Sequence, residues 1–146
     1  MPSPTRSDVR LANQSWESLM TAHSTLMERF AGESMWRDVN MREYDVLYTL
    51  AKADEPLRLC ELQEGVLLSQ PALSRMVDRL VTRGLLERAT DPEDGRAVRI
   101  SLTAHGAEVQ RETGRAHARS VARDVGGALT PEELTELERI CKKLVS

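Results

Sequence analysis

The sequence predicts a mainly α-helical protein with one small β-unit, and three observations support this fold class. Apolar residues recur every three or four positions in several segments, as on the buried face of a helix. The segment from Ser69 to Gly84 begins with a capping serine and ends at a glycine, as amphipathic helices do. Two strand candidates, 85–90 and 98–102, then flank a polar turn with proline and glycine. The predicted order is α-α-(β)-α-α-β-β-α-α, that of a winged helix-turn-helix.

Two helices are predicted in the N-terminal part of the chain. Apolar residues between Asp8 and about Ala31 fall on one helical face, and Gly32 follows as a stop signal. A second helix is predicted from about Met41 to Ala53, and its inward-facing residues are expected to be Tyr44, Leu47, Tyr48 and Leu50. Asp54-Glu55-Pro56 ends it, because the residue before a proline avoids helical geometry. Leu57-Arg58-Leu59 is a candidate short strand.

A helix-turn-helix is predicted next. Its first helix runs from Cys60 to about Glu64, Gly65 supplies the turn, and Gln70–Arg83 forms the second helix. Ser69 is a suitable N-cap residue, because its hydroxyl can accept from the free amides of the first turn. Pro71 is tolerated there, since those amides have no intrahelical partners. The buried face of the second helix is predicted to consist of Leu73, Val77 and Leu80, with Met76 beside them.

Two further helices are predicted in the C-terminal part. Thr103 caps a long, alanine-rich helix to about Val125, and Gly126-Gly127 interrupts the pattern. Thr130-Pro131-Glu132-Glu133 is a capping box with proline at the first helical position, so a final helix begins there. The first and last helices carry strong apolar faces that one chain of this size leaves uncovered. We therefore expect an obligate-type homodimer.

Composition limits the classes of protein to consider. The 146 residues suffice for one domain with a core, and the net charge of −3 argues against a uniformly basic nucleic-acid-binding surface. No apolar run approaches the roughly 20 residues of a membrane span, and MPSPTRSDVR contains no apolar secretory segment. We therefore expect a cytoplasmic protein with no membrane partner.

The two cysteines, Cys60 and Cys141, lie far apart in the sequence and show no metal-ligand spacing. We expect both to pack as small apolar side chains. A redox switch at Cys60 is the alternative, although no basic residue pattern marks its thiolate as stabilised.

Positive charge is concentrated in the second helix of the helix-turn-helix. From Ser69 to Gly84 there are three arginines and one acid, a net charge of +2, whereas Glu132–Glu138 contains four acids and no base. The helix also has an apolar face and a free face, as a helix that enters the major groove requires. The free face consists of Gln70, Ala72, Ser74, Arg75, Asp78 and Arg79.

The residue types on this face match DNA chemistry. Arg75 can make a bidentate bond to guanine, and Gln70 suits adenine. Ser69 and Ser74 suit phosphates or base edges, and Arg79 suits a phosphate or a nearby acid.

The polar segment Asp91–Arg96 joins the two strand candidates and is too short and polar to be core. Such a wing can place Arg96 in the minor groove, where negative potential is focused, with Asp94 orienting its guanidinium. The predicted DNA contacts are Ser69, Gln70, Pro71, Ala72, Ser74, Arg75, Arg79, Asp94 and Arg96.

Other functions receive less support. A winged-helix module that binds protein rather than DNA, the main alternative, has no need of both Arg75 and Arg96. His23, His105 and His117 lack metal-ligand spacing, and the chain contains neither a nucleophile elbow nor a glycine-rich phosphate loop. We expect no enzyme activity, metal or cofactor.

Five segments carry a resemblance to a known family: Leu59-Cys60-Glu61-Leu62, Leu68-Ser69, Leu73-Ser74-Arg75-Met76-Val77-Asp78-Arg79-Leu80, Gly84-Leu85-Leu86-Glu87-Arg88, and Asp94-Gly95-Arg96-Ala97-Val98-Arg99-Ile100-Ser101-Leu102-Thr103. With these segments, and over about residues 8–146, the chain resembles the MarR family of transcriptional regulators. The last segment matches the wing signature of the family, with Arg96 as the wing arginine.

The resemblance implies a homodimer that binds a pseudo-palindrome, with half-sites about one helical turn, roughly 34 Å, apart. It implies a single domain over 1–146, with a DNA-binding lobe over 41–102 and dimerisation helices over 8–31 and 103–146. Most members are repressors, and many release DNA when a small phenolic or other anionic ligand binds.

The resemblance also implies a ligand pocket between the first two helices, the lobe and the long fifth helix. An aromatic wall with one cation would suit an aromatic carboxylate. The candidate residues are Trp16, His23, Trp36, Arg37, Tyr44 and His117. In the alternative, Trp16 and Tyr44 belong to the core and His23 to the subunit interface. One branch of the family senses peroxide with a cysteine near the start of its first helix, and this chain has none there.

Overall fold

The computed structural model describes residues 2–146 and confirms the predicted order of elements. In chain order these are α1 (Arg6–Ala31), α2 (Met41–Lys52), β1 (Leu57–Arg58), α3 (Leu59–Glu64), α4 (Gln70–Thr82), β2 (Leu86–Thr90), β3 (Val98–Leu102), α5 (Ala104–Val121) and α6 (Pro131–Val145). A single π-helical turn, Ala122–Gly126, follows α5. Within residues 2–146, no helix is long and apolar enough to cross a membrane.

The three strands form an antiparallel sheet in the order β1-β3-β2. Strands β2 and β3 form the hairpin of the wing, with Leu86 opposite Leu102 and Thr90 opposite Val98. The two residues of β1 pair with the other edge of β3, which sets Arg58 opposite Arg99. The start of the helix-turn-helix is thereby joined to the base of the wing.

The chain divides into two compact units. Residues 34–121, the winged unit, contain α2 to α5 and the sheet. Residues up to Glu33, together with 122–146, form the terminal unit, which contains α1 and α6. Helix α5 thus clusters with the winged unit, and the assignment of 103–146 to a dimer interface stays a prediction.

The winged unit has a continuous hydrophobic core. The predicted face of α4 is buried, with Leu73 and Leu80 fully inaccessible and Val77 at 1% exposure, and Tyr44 of α2 is buried as expected. The core consists of Val39, Tyr44, Val46, Leu47, Leu50, Leu62, Leu73, Met76, Val77, Leu80, Leu85, Leu86, Ile100 and Val109. Because α4 is held by this core, its opposite face is fixed in direction.

The start of α5 is packed closely against the end of α4. Gly84 ends α4 with a φ of 77°, a left-handed conformation that favours glycine. The hydroxyl of Thr103 donates to the Gly84 carbonyl at 2.6 Å and accepts from the Gly106 N–H at 2.9 Å. A Cβ atom at Gly106 would lie 1.9 Å from the Leu85 carbonyl oxygen, so only glycine fits there.

The terminal unit buries far fewer residues. Phe30 is the buried residue of α1, and α6 has none. Both helices have ordered starts, because Thr5 with Asp8 and Thr130 with Glu133 form capping boxes. Large apolar side chains remain exposed along both helices: Val9, Leu11, Trp16, Leu19 and Met20 on α1, and Leu137, Ile140, Leu144 and Val145 on α6.

Four sequence-based expectations were wrong in detail. Tyr48 was expected to face inward but is 43% exposed, and Trp16, which the alternative to a ligand role assigned to the core, is 57% exposed. Cys60 is exposed rather than packed. The reason is shared: a helical period identifies an apolar face, but it does not say whether another element of the same chain covers it. The long helix also differs, since its α-helical part ends at Val121 and a π-helical turn leads to Gly126.

Candidate nucleic-acid interface

Helix α4 presents its N-terminal turn to solvent. The Ser69 hydroxyl accepts from the Ala72 N–H at 3.3 Å, which confirms Ser69 as the N-cap, and Pro71 lies in the first turn. Gln70, Pro71, Arg75 and Arg79 are exposed. Ala72 and Ser74 are half-buried. The predicted reading residues therefore lie together at one end and along one face of the helix.

The arginines of the winged unit fall into two sets around this face. Arg83 lies 2.7 Å from the Glu43 carboxylate and also donates to the Asp38 carbonyl. Arg88 pairs with Asp78 of α4. Arg75 and Arg79, by contrast, form no ion pair and no side-chain hydrogen bond within residues 2–146. The alternative partner for Arg79, a nearby acid, is therefore not used, because the neighbouring Asp78 binds Arg88 instead.

The wing carries a third arginine of the unpaired kind. Arg96 is exposed, and in the described part of the chain its guanidinium forms no ion pair. The expectation that Asp94 orients this guanidinium was wrong. Asp94 instead accepts from the backbone N–H of Arg96 at 3.0 Å, as short acidic side chains do in turns. Asp94 therefore shapes the turn and leaves the Arg96 side chain available.

A buried ionic cluster lies at the base of the wing, and the sequence did not predict it. The side chain of Asp91 is fully inaccessible and lies 2.7 Å from Nη2 of Arg58 and 3.0 Å from Nε of Arg99. A hydrogen bond from the Glu93 N–H, and then the two arginines, hold the pKa of Asp91 far below its usual range, against the opposing effect of burial. The available signal was one acid followed by proline between two basic strands, which is too common to identify a cluster.

A separate cavity lies between α2 and α5 of the winged unit. It has a volume of about 660 Å³, and its walls include Tyr44, Tyr48, Arg111, Arg115 and His117. The rings of Trp36, Tyr44 and His117 are mutually in contact, with centroids 5.5 to 5.8 Å apart. Burial raises the pKa of the Tyr44 hydroxyl, so that group stays protonated.

The predicted ligand residues are only partly brought together. Trp36, Tyr44 and His117 form one cluster, whereas Arg37 is exposed in the loop before α2. Trp16 and His23 are exposed on α1, in the terminal unit. Arg111 and Arg115, which line the cavity, were missed. Their spacing of four residues on a predicted helix was the available signal, since such residues share a face.

No cluster of three or more histidine, cysteine, aspartate or glutamate side chains in residues 2–146 is placed to hold a metal ion. The exposed Cys60 lies at the start of the helix-turn-helix, and its proposed redox role stays a prediction.

A core-anchored helix with a free basic face, beside a wing with a free arginine, defines a winged-helix DNA-binding regulator. Comparison with known proteins gives the family. The family model described as the MarR family matches residues 39–98. The multiple antibiotic resistance protein MarR of Escherichia coli is 30% identical over 108 residues, which cover 74% of each chain. The chain belongs to the MarR family.

Two solved structures extend the similarity to nearly the whole chain. The regulator Sco3205 of Streptomyces coelicolor, solved in complex with DNA, is 27% identical, with a TM-score of 0.81 and coverage of 99% and 90% of the two chains. The regulator PcaV of the same organism, solved with its natural ligand, is 26% identical, with a TM-score of 0.67 and coverage of 99% and 97%. These relatives are transcription regulators, which confirms the expectation that the chain is not an enzyme.

Proposed function

We propose that the protein is a cytoplasmic repressor that binds a pseudo-palindromic operator as a homodimer and releases it when a small aromatic anion binds. The observation that carries DNA binding is the division of the arginines. Arg75, Arg79 and Arg96 are exposed without an acidic partner in the described chain, and all three lie on α4 or the wing. The neighbouring arginines are each paired with a carboxylate: Arg58, Arg83, Arg88 and Arg99.

Each contact has a distinct role in this proposal. Arg75 reads guanine and Gln70 reads adenine in the major groove, close to the N-terminus of α4. Arg79 meets a phosphate, and Arg96 enters the minor groove. The remaining contacts lie around the first turn of α4 and in the wing: Ser69, Pro71, Ala72, Ser74 and Asp94. The structure of Sco3205, which was solved in complex with DNA, supports this use of the fold.

Titration of labelled genomic promoter fragments at two salt concentrations tests DNA binding. We expect at least one fragment to bind more tightly than bulk DNA, with an affinity that falls steeply as salt rises. Arg75→Ala should cost about 1–3 kcal/mol and relax the preference at one base pair. Arg79→Ala should weaken all fragments alike.

Arg119→Ala is the matched control, because Arg119 is exposed in the last turn of α5 and belongs to neither α4 nor the wing. The Arg119→Ala variant should bind each fragment with the affinity of the wild type. If the wild-type protein bound every fragment equally, the proposal of a sequence-specific regulator would be contradicted. If Arg75→Ala lost the same affinity for every fragment, Arg75 would be a phosphate contact rather than a base contact.

The exposed apolar faces of α1 and α6 support the homodimer. Leu137 and Ile140 are 41% and 42% exposed, and Leu144 is 67% exposed, although all three recur at helical spacing on α6. A second copy of this chain offers the same surface, as a two-fold interface requires. The assembled dimer would present two α4 helices to successive major grooves.

Sedimentation equilibrium at micromolar concentration tests this assembly, and we expect a dimer. Leu144→Lys should shift the protein toward monomer and reduce operator affinity, because a lysine would be buried without a partner. Lys143→Ala, one residue away, should remain dimeric. A wild-type monomer that still binds one operator would contradict the proposal.

The cavity between α2 and α5 supports an anionic effector. Tyr44 and Tyr48 supply an aromatic wall, while Arg111 and Arg115 supply cations for a carboxylate. The structure of PcaV, which was solved in complex with its natural ligand, supports an effector for this protein too. A bound effector would change operator affinity only by its preference for one of two conformations.

Release of labelled operator by benzoate, with benzyl alcohol as the neutral comparison, tests the effector site. Benzoate should release the operator at lower concentration than the alcohol. Arg115→Gln should lower the response to benzoate and leave operator affinity unchanged. Equal responses to both compounds, or an unchanged response in Arg115→Gln, would contradict an anion site in this cavity.

A further inference from the structure

Asp91 is a charged residue whose side chain is completely buried at the base of the wing. Its Oδ2 atom accepts from Nε of Arg58 at 2.8 Å and lies 3.0 Å from Nε of Arg99. A buried carboxylate is tolerated only where its partners compensate the loss of hydration. Here the partners come from two neighbouring strands, β1 and β3, which face each other at Arg58 and Arg99.

The other oxygen of Asp91 organises the turn of the wing. Its Oδ1 atom accepts from the Glu93 N–H at 2.9 Å, and the backbone N–H of Asp91 donates to the Ala97 carbonyl at 3.0 Å. The Ala97 N–H in turn donates to the Asp94 carbonyl at 3.0 Å. These bonds close residues 91–97 into one braced loop, and Arg96 lies within it.

The brace is insensitive to pH near neutrality. The pKa of Asp91 is lowered from 3.8, first by the Glu93 N–H and then by the two arginines. A lowered folded-state pKa contributes stability that is complete above the unfolded value and is lost only as pH falls through the folded value. Asp91 therefore stays ionised near neutral pH, where the proposed binding experiments are made.

We propose that Asp91 is a positioning residue for DNA recognition, which holds the wing turn so that Arg96 meets the minor groove in a preformed loop. The inference rests on the proposed function, in which Arg96 contacts DNA. A preformed loop loses less conformational entropy on binding than a mobile one. Without the carboxylate, two guanidinium groups face each other half-buried, and the Glu93 N–H loses its acceptor.

A double-mutant cycle on operator affinity tests this inference. The proteins compared are the wild type, Asp91→Asn, Arg96→Ala and the double variant, each at two salt concentrations. We expect Asp91→Asn to weaken binding about as much as Arg96→Ala and to lower the salt slope by about one unit, as loss of one charge contact does. The double variant should bind like Arg96→Ala alone, because Asp91 acts through Arg96. If Asp91 had a merely structural role, Asp91→Asn would lower the affinity further in the Arg96→Ala background.

Glu55→Gln is the matched control. Glu55 lies 3.8 Å from Nη1 of Arg99 but is exposed and lies outside residues 91–97, so the variant should bind like the wild type. Additive losses in the double variant, or an unchanged affinity in Asp91→Asn, would overturn the positioning role while leaving the Arg96 contact intact. An unchanged affinity in Arg96→Ala would overturn both.

If Asp91→Asn does not fold, as judged by circular dichroism, Arg58→Gln takes its place in the cycle. This variant removes one of the two guanidinium groups that contact Asp91 and leaves Arg99 beside the carboxylate. A smaller loss is expected, again absent in the Arg96→Ala background, and additive losses would overturn the inference.

Discussion

The winged unit and the terminal unit bury their apolar residues in different ways. In the winged unit, residues from α2, α3, α4, the sheet and α5 form one continuous core. In the terminal unit, α6 has no buried residue, and Leu144 and Val145 remain 67% and 86% exposed. Both units nevertheless have well-capped, amphipathic helices. An amphipathic helix can thus be covered within its own chain or left exposed, and its amphipathicity alone does not determine which.

The two ways of burying apolar residues suit different functions. A self-contained core gives α4 and the wing fixed directions within a single chain, which a DNA-reading surface requires. The exposed apolar faces of α1 and α6 would form the contact surface of the proposed homodimer. The two units therefore suit separate tasks in the proposed repressor, recognition in one and association in the other.

Truncating one leucine in each unit should give the largest contrast. Leu80→Ala removes a fully buried side chain and should cost about 2–5 kcal/mol, independent of protein concentration. Leu144→Ala removes an exposed one and should cost less, by an amount that depends on protein concentration, because in the proposed homodimer its partner is a second copy. Urea unfolding at two protein concentrations measures both. Equal costs at both concentrations would remove the distinction between the units.

Adding one methyl group to a glycine in each unit should give an intermediate contrast. Gly106→Ala forces a Cβ against the Leu85 carbonyl and should cost about 1–3 kcal/mol, because backbone must move. A Cβ atom added at Gly126 would have no neighbour within 4 Å, so Gly126→Ala should be neutral or slightly stabilising. Thermal unfolding followed by circular dichroism compares the two variants. A stable Gly106→Ala would show that the junction between α4 and α5 can open.

Neutralising one glutamate in each unit should give the smallest contrast. Glu43 is buried, lies 2.7 Å from Arg83 and accepts from the Asn40 N–H at 3.0 Å, so Glu43→Gln should cost about 1 kcal/mol. Glu136 pairs with Arg139 on an exposed face of α6, where solvent screens the pair. Glu136→Gln should therefore leave the urea midpoint unchanged. A comparable decrease in both variants would contradict the distinction by burial.

Much of the fold could be predicted because its signals are local. The start of α4 at Ser69, its end at Gly84 and the capping box at Thr130 each depend on residues within about four positions of one another. The buried face of α4 was also correct, because the helical period is a property of the segment itself. Tyr48 and Trp16 were misjudged, since their exposure depends on elements that are remote in the sequence.

The candidate site could be predicted only in outline. Arg75, Arg79 and Arg96 were identified as basic residues on a helix and a turn. The amino-acid sequence alone determined the order of the elements, their caps and the residue types on each face, because these follow from local geometry. Which arginines are paired, by contrast, depends on the tertiary structure. Arg58 and Asp91 are 33 positions apart, and Arg83 and Glu43 are 40 positions apart. Ion pairs of that span form only after the core has brought their elements together. Among the arginines on α4 and in the wing, Arg75, Arg79 and Arg96 have no such partner in residues 2–146, and these are the three that we propose contact DNA.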